Sequence, residues 1–128
     1  MALRPDHLTI ANRDRDAADQ HYGKLLPLLG FSQIGDNIWH NGAGFYIQFI
    51  AAEAWTRPYE RYGAGMNHVG FPMESVEAVE SLRSQLLAAG MAVPDVQDLG
   101  GATALFLPDP DGLRFEFTYY PPGMPPVG

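Results

Sequence analysis

Apolar and polar positions alternate most clearly near the end of the chain. In Leu113-Arg114-Phe115-Glu116-Phe117-Thr118-Tyr119 the side chains of Arg114, Glu116 and Thr118 share one strand face, and Leu113, Phe115, Phe117 and Tyr119 share the other. The run follows Asp109-Pro110-Asp111-Gly112, a strong turn signal: Pro110 presets φ, Gly112 accepts positive φ, and the aspartates can cap backbone N–H groups. A lone Glu in the middle of an apolar strand is costly to bury unless it is paired or bound to a cation. The first question about this chain is therefore what Glu116 faces.

From the start, His7-Leu8-Thr9-Ile10-Ala11 alternates like a strand, and Asn12 to Asp16 is polar punctuation suited to capping a helix. Ala17 to Leu29 reads as that helix, with Tyr22, Leu25, Leu26 and Leu29 on one stripe; Pro27 argues for a bent or non-helical last turn, and Gly30 ends it. Phe31 to Ile34, Asn37 to His40 and Phe45 to Ile50 are strands separated by Gly35-Asp36 and Asn41-Gly42-Ala43-Gly44. After a linker from Ala51 to Gly65 the same order returns. Asn67 to Phe71 is a strand, Ser75 caps a helix through Ala89, and Met91 to Val96, Thr103 to Leu107 and Leu113 to Tyr119 are strands. The chain is thus an internal repeat of a β-α-β-β-β unit. Asp6 to Ile10 registers on Asn67 to Phe71, and Gly44 to Phe49 on Gly112 to Phe117. Each half begins with a strand His and ends with a strand Gln or Glu, so His7, Gln48, His68 and Glu116 are all possible ligands of a divalent cation.

The chain's 128 residues suit a single domain of 1–128: module one about 5–50, linker 51–65, module two about 66–120 and a Pro-rich tail 121–128. With 46% hydrophobic and 18% charged residues the composition is that of a globular protein. No apolar run reaches the length of a membrane span and the first residues lack a signal-peptide core, so the expected location is the cytoplasm. The absence of cysteine excludes disulfides, thiolate metal sites and a Cys nucleophile. A net charge of −7, with eight Lys and Arg scattered along the chain, argues against nucleic acid.

The motifs Asp6-His7-Leu8, Tyr22 with Leu28-Leu29-Gly30-Phe31, Asn67-His68-Val69-Gly70-Phe71, and Asp109-Pro110-Asp111-Gly112 with Glu116 give the chain a resemblance to the vicinal oxygen chelate superfamily. That superfamily includes glyoxalases, methylmalonyl-CoA epimerase, fosfomycin-resistance thiol transferases, extradiol dioxygenases and bleomycin-resistance binding proteins. The resemblance runs from Asp6 to Tyr119. It implies an α+β fold in which the two tandem modules form an open, cup-shaped mixed sheet with helices outside. It also implies metal ligands at His7, His68 and Glu116, with Gln48 at a fourth position where a hydrogen-bonded polar residue is an equal reading. The cofactor would be Zn, Ni, Co, Mn or Fe. Glu116 would also be the catalytic base, and the period-2 neighbours Thr9, Tyr46 and Arg114 would face substrate, Arg114 being equally readable as an ion-pair partner.

Reactions differ across the superfamily, so the fold does not choose among them. Ring cleavage is disfavoured, because the Tyr that the dioxygenases carry before the Asp-Pro turn is Phe106 here and Gln97-Asp98-Leu99 holds no His. Thiol transfer to a phosphonate has only Arg114 as a cationic group in the last strand. The ligand set implies lyase or isomerase/epimerase chemistry on a small substrate chelated through adjacent oxygens. The alternatives are a non-catalytic drug- or metabolite-binding protein of the bleomycin-resistance type and a fosfomycin-type thiol transferase. A homodimer is expected, the modules pairing within one chain or between two. His21 and His40 read as surface or structural groups, and Trp39, Trp55 and Tyr62 as pocket or core aromatics.

Overall fold

Why each half repeats the other is clearest at its ends. In both, a short first strand pairs in parallel with the last, which needs a crossover, and a helix supplies it. The computed structural model describes residues 1–126; Val127 and Gly128, the end of the Pro-rich tail, lie outside the described residues. The chain divides into two compact units, Met1–Pro58 and a second beginning at Tyr59, so the boundary falls inside the expected linker. Each unit is one β-α-β-β-β module.

The first unit runs β1 (His7–Asn12), α1 (Arg15–Leu28), β2 (Ser32–Gly35), β3 (Ile38–His40) and β4 (Tyr46–Ala51), with sheet order β1-β4-β3-β2. Asp14 caps α1, its carboxylate accepting from the Ala17 amide at 3.1 Å. The helix buries Ala18, Tyr22, Leu25 and Leu26, and the Tyr22 ring lies 4.4 Å from that of Phe49. On β4 this leaves Ile47 and Phe49 inside and Tyr46 and Gln48 outside. Arg15 holds the module's edge together: it donates to Asn12 Oδ1 at 2.8 Å, to Asp19 at 2.6 Å and to Asn37, and its guanidinium lies 5.4 Å from the Phe49 ring centre. Arg13 gathers the linker, donating to the carbonyls of Glu53, Thr56 and Arg57.

The second unit runs β5 (His68–Pro72), α2 (Val76–Ala88), β6 (Gln97–Leu99), β7 (Ala102–Pro108) and β8 (Arg114–Tyr119), in the order β5-β8-β7-β6. Ser75 caps α2, and Val79, Leu82 and Leu86 are its buried stripe. Phe71, Phe115 and Phe117 form a cluster beside it, with centroid separations from 5.3 to 6.4 Å. All four middle residues of β8 are buried, so both faces of this strand are covered.

Three expectations need correction. The strand foreseen over Met91 to Val96 is absent, and β6 forms at Gln97–Leu99 instead. Pro94 has no N–H for a ladder, and its carbonyl is taken by Arg83 Nε at 2.8 Å. Helix α1 continues through Pro27 to Leu28; so near the end of the helix the missing N–H costs a single bond and the ring is tolerated. His21 is half-buried rather than on the surface, edge-on to Tyr22 at 4.8 Å, and burial lowers its pKa from 6.5 to about 4.

The two turns that open β4 and β8 are the same structure. Asn41 Oδ1 accepts from the amides of Ala43 and Phe45 at 2.8 and 3.1 Å, and Asp109 Oδ1 accepts from those of Asp111 and Leu113 at 2.9 and 3.1 Å. Gly44 and Gly112 close them at φ 88° and 97°, where an L side chain would be strained. Asp109→Ala is expected to destabilise by ~1–3 kcal/mol in urea unfolding, through two buried amides losing their acceptor, whereas Asp109→Asn stays near wild type because Asn41 does the same work with an amide. The unfolded chain protonates His21 below pH 6.5 and the folded one resists until about pH 4, so stability is lost as pH falls between these values. His21→Phe should shrink the drop in melting temperature across that window.

Candidate functional site

In the second unit the register pairs Gly70 with Glu116 and His68 with Arg114, which sets the imidazole of His68 diagonally over the Glu116 carboxylate. Gly70 lies against the carboxylate; a Cβ there would stand 4.0 Å from Glu116 Oε1. Glu116 is 6% exposed. A carboxylate so buried loses several kcal/mol of hydration, and hydrogen bonds to a charged acceptor return ~1.5–3 kcal/mol each. Three groups surround it. Thr118 Oγ1 donates to Oε2 at 2.5 Å, the Tyr120 hydroxyl donates to the same oxygen at 3.1 Å, and His68 Nε2 lies 3.0 Å from Oε1.

The protonation of His68 follows from its other neighbour. Asn67 Nδ2 donates to the Arg61 carbonyl at 2.8 Å, and Asn67 Oδ1 accepts from Arg114 at 2.8 Å. A carbonyl only accepts and a guanidinium only donates, so this amide has one allowed orientation. Asn67 Oδ1 also lies 2.7 Å from His68 Nδ1, and that nitrogen therefore carries a hydrogen. In neutral His68 the lone pair is then on Nε2, facing a carboxylate oxygen. Two acceptors at that distance require a proton or a cation between them.

Leu99, Ala102, Phe106, Met124 and Pro125, with Tyr120, complete a cavity of about 450 Å³ on which His68 and Glu116 open. Phe106 stands edge-on to His68 at 5.5 Å, and its face carries the Arg114 guanidinium at 4.8 Å. Arg114 is thus engaged by Asn67 and Phe106, and its Nε is buried without a hydrogen-bond partner.

The first unit carries the related pair on its exposed face. Asp6 holds His7 Nδ1, again leaving Nε2 outward, and Thr9 Oγ1 donates to Gln48 Oε1 at 3.5 Å. His7, Gln48, Asp6, Ile38 and Tyr46 bound an open hollow of about 300 Å³, and Tyr46 stacks on His40 at 4.3 Å. His40, read as a surface group, thus supports an expected substrate residue. Trp55 and Tyr62 are exposed and Trp39 is half-buried. Each unit offers one imidazole nitrogen and one oxygen donor; among the described residues no group of three or more His, Cys, Asp or Glu side chains is gathered to hold a metal.

Asn67, Tyr120 and Met124 were not singled out by sequence reasoning. Tyr120 continues the alternation of Glu116 and Thr118, and Asn67 precedes His68 as Asp6 precedes His7, so both had a signal. Met124 had none.

No family model matches the chain. It is 29% identical over 122 residues to the uncharacterized protein YqjT of Bacillus subtilis (strain 168), covering 86% of this chain and 94% of that protein. Among solved structures it is similar to a glyoxylase/bleomycin resistance protein/dioxygenase domain from Frankia sp. EAN1pec, with TM-score 0.74, 22% identity, and 97% and 96% of the two chains covered. A glyoxalase/dioxygenase from Nostoc punctiforme gives TM-score 0.70 at 14% identity over 92% and 91% of the chains. A lactoylglutathione lyase from Agrobacterium tumefaciens gives 0.66 at 16% over 93% and 95%. The fold is therefore that of the glyoxalase/bleomycin resistance/dioxygenase proteins, which are vicinal oxygen chelate proteins.

Asn67→Leu should let the His68 proton move to Nε2, where it can be donated to Glu116; Asn67→Asp, which restores an acceptor of the kind Asp6 gives His7, should keep it on Nδ1. Imidazole nitrogen chemical shifts report which nitrogen is protonated.

Proposed function

We propose that the protein is a metal-dependent enzyme of the glyoxalase-like superfamily, a lyase or isomerase acting on a small molecule bound through adjacent oxygens. The observation that carries this reading is the 3.0 Å approach of His68 Nε2 to Glu116 Oε1 while Asn67 engages Nδ1, an arrangement that a divalent cation satisfies as well as a proton. The residues fit the group: imidazole nitrogen and carboxylate oxygen without sulfur suit Zn, Ni, Co, Mn or Fe. His68 and Glu116 would hold it, with His7 and Gln48 the matching donors of the first module. The metal, when bound, acts as a Lewis acid toward adjacent substrate oxygens and favours loss of a neighbouring proton.

The chain's own residues prepare that proton transfer. Thr118 and Tyr120 fix Oε2 of Glu116, so Oε1 is the atom that would face the cation and, once released from it, would take the proton and return it. Asn67 fixes the ring of His68, and Phe106 and Leu99 line the cavity on which the carboxylate opens. In the first module, Tyr46 and Thr9 stand beside the donor pair and are the groups for orienting substrate. We place the protein in the cytoplasm, as a homodimer.

A second reading, a small-molecule binding protein of the bleomycin-resistance type, is favoured by the apolar lining of the cavity beside Glu116. Elemental analysis of untagged protein, with the His68→Ala variant alongside, separates the two. About one divalent metal per chain is expected, lost in the variant. Protein that neither carries metal nor takes it up from Mn, Fe, Co, Ni or Zn would give the binding reading first place.

A further inference from the structure

The cavity of the second unit has all its polar atoms at one end. His68, Glu116 and Tyr120 lie there, and the remaining lining is Leu99, Ala102, Phe106, Met124 and Pro125. No Lys or Arg is among these residues. Arg114, the nearest cation of β8, is tied to Asn67 and covered by Phe106. A phosphonate or carboxylate placed in this cavity of the metal-free protein would lose its hydration with no Lys or Arg in the lining to offset the loss, because His68 is already engaged by Glu116.

Part of the apolar wall comes from the tail. Its described part folds back on its own module. Tyr120 is anchored on Glu116, a turn brings the Met124 amide to the Pro121 carbonyl at 3.0 Å, and the Met124 methyl reaches the hairpin between β6 and β7. Gly101, at φ 105°, lies against it: a Cβ there would stand 3.4 Å from Met124 Cε. A thioether at the end of an unbranched side chain is an adaptable stopper for such a space.

We infer that this cavity selects a small uncharged ligand with an apolar, ring-like body, and that Met124 sets the length of body accepted. The inference rests on the reading of His68 and Glu116 as the polar, oxygen-binding end. Exclusion of anions from the metal-free protein follows from a lining without Lys or Arg in which His68 is already engaged by Glu116, and the size limit follows from Met124, which lines the cavity and contacts the Gly101 hairpin.

Three probes test it by calorimetry on full-length protein, with and without loaded Zn: maltol and 3-hydroxyflavone, two neutral molecules with adjacent oxygens and bodies of different length, and oxalate, which has the oxygens without a body. Maltol is expected to bind at least tenfold more tightly than oxalate to the metal-free protein. Met124→Ala should shift the preference toward 3-hydroxyflavone over maltol at least threefold. Met124→Trp should shift it the other way, and a chain ending after Pro121 should behave like Met124→Ala. If the wild-type protein holds no metal but these preferences and their Met124 dependence appear, the inference stands and the metal reading fails. If metal binds and the ratio of the two neutral probes is unchanged in both Met124 variants, or oxalate matches maltol in the metal-free protein, the inference is overturned and the metal reading is untouched. A variant that fails to fold by circular dichroism is replaced by Met124→Leu against Met124→Phe, with the same directions expected.

Discussion

Parallel pairing between the first and last strand of each module is the constraint from which the rest follows. It joins residues about forty positions apart, which is why a helix must intervene and why each module has its particular length. It also decides what faces what. With Gly70 opposite Glu116, the side chain two positions before the glycine reaches over the carboxylate, and that side chain is His68. A slip of one residue would turn Glu116 into the Phe71, Phe115 and Phe117 cluster, where no group could hydrogen-bond it. The apolar core and the polar site therefore enforce the same register from opposite faces of one strand.

Around that register the polar residues divide by what they touch. Thr118 and Tyr120 hold one carboxylate oxygen, Asn67 holds the far nitrogen of the imidazole, and Arg114 and the Arg61 carbonyl hold Asn67. The result is a chain of groups in which each has its orientation decided by the next. Such a chain leaves open the relation between His68 Nε2 and Glu116 Oε1, where a proton or a cation must stand. In the first module the same positions carry His7 and Gln48, a pair without a carboxylate on an exposed face. The modules share a backbone plan and differ in charge where it matters.

Much of this was legible in the sequence because it rests on local rules. The alternation in β8, the Ser75 cap, the glycine that ends each helix, and the matched turns before β4 and β8 all act within a few residues, and all were placed correctly. The pairing of His68 with Glu116 was legible only through the repeat, since nothing local joins residues so far apart. What escaped depended on contacts across the unit. Met91 to Val96 has the composition of a strand, and it fails to be one because Arg83 on α2 takes the Pro94 carbonyl. His21, read as a surface or structural group, is half-buried beside Tyr22. The part played by Met124 depends on its contact with the Gly101 hairpin, which no periodicity reveals.

The matched turns at Asn41 and Asp109 show how little a turn has to specify. Two segments that share no residue between their asparagine or aspartate and their closing glycine make the same pair of side-chain-to-backbone hydrogen bonds. One acceptor oxygen and one positive φ are enough to launch the last strand of each module in the right direction, whatever stands between them. The chain carries the instruction twice, in two different spellings.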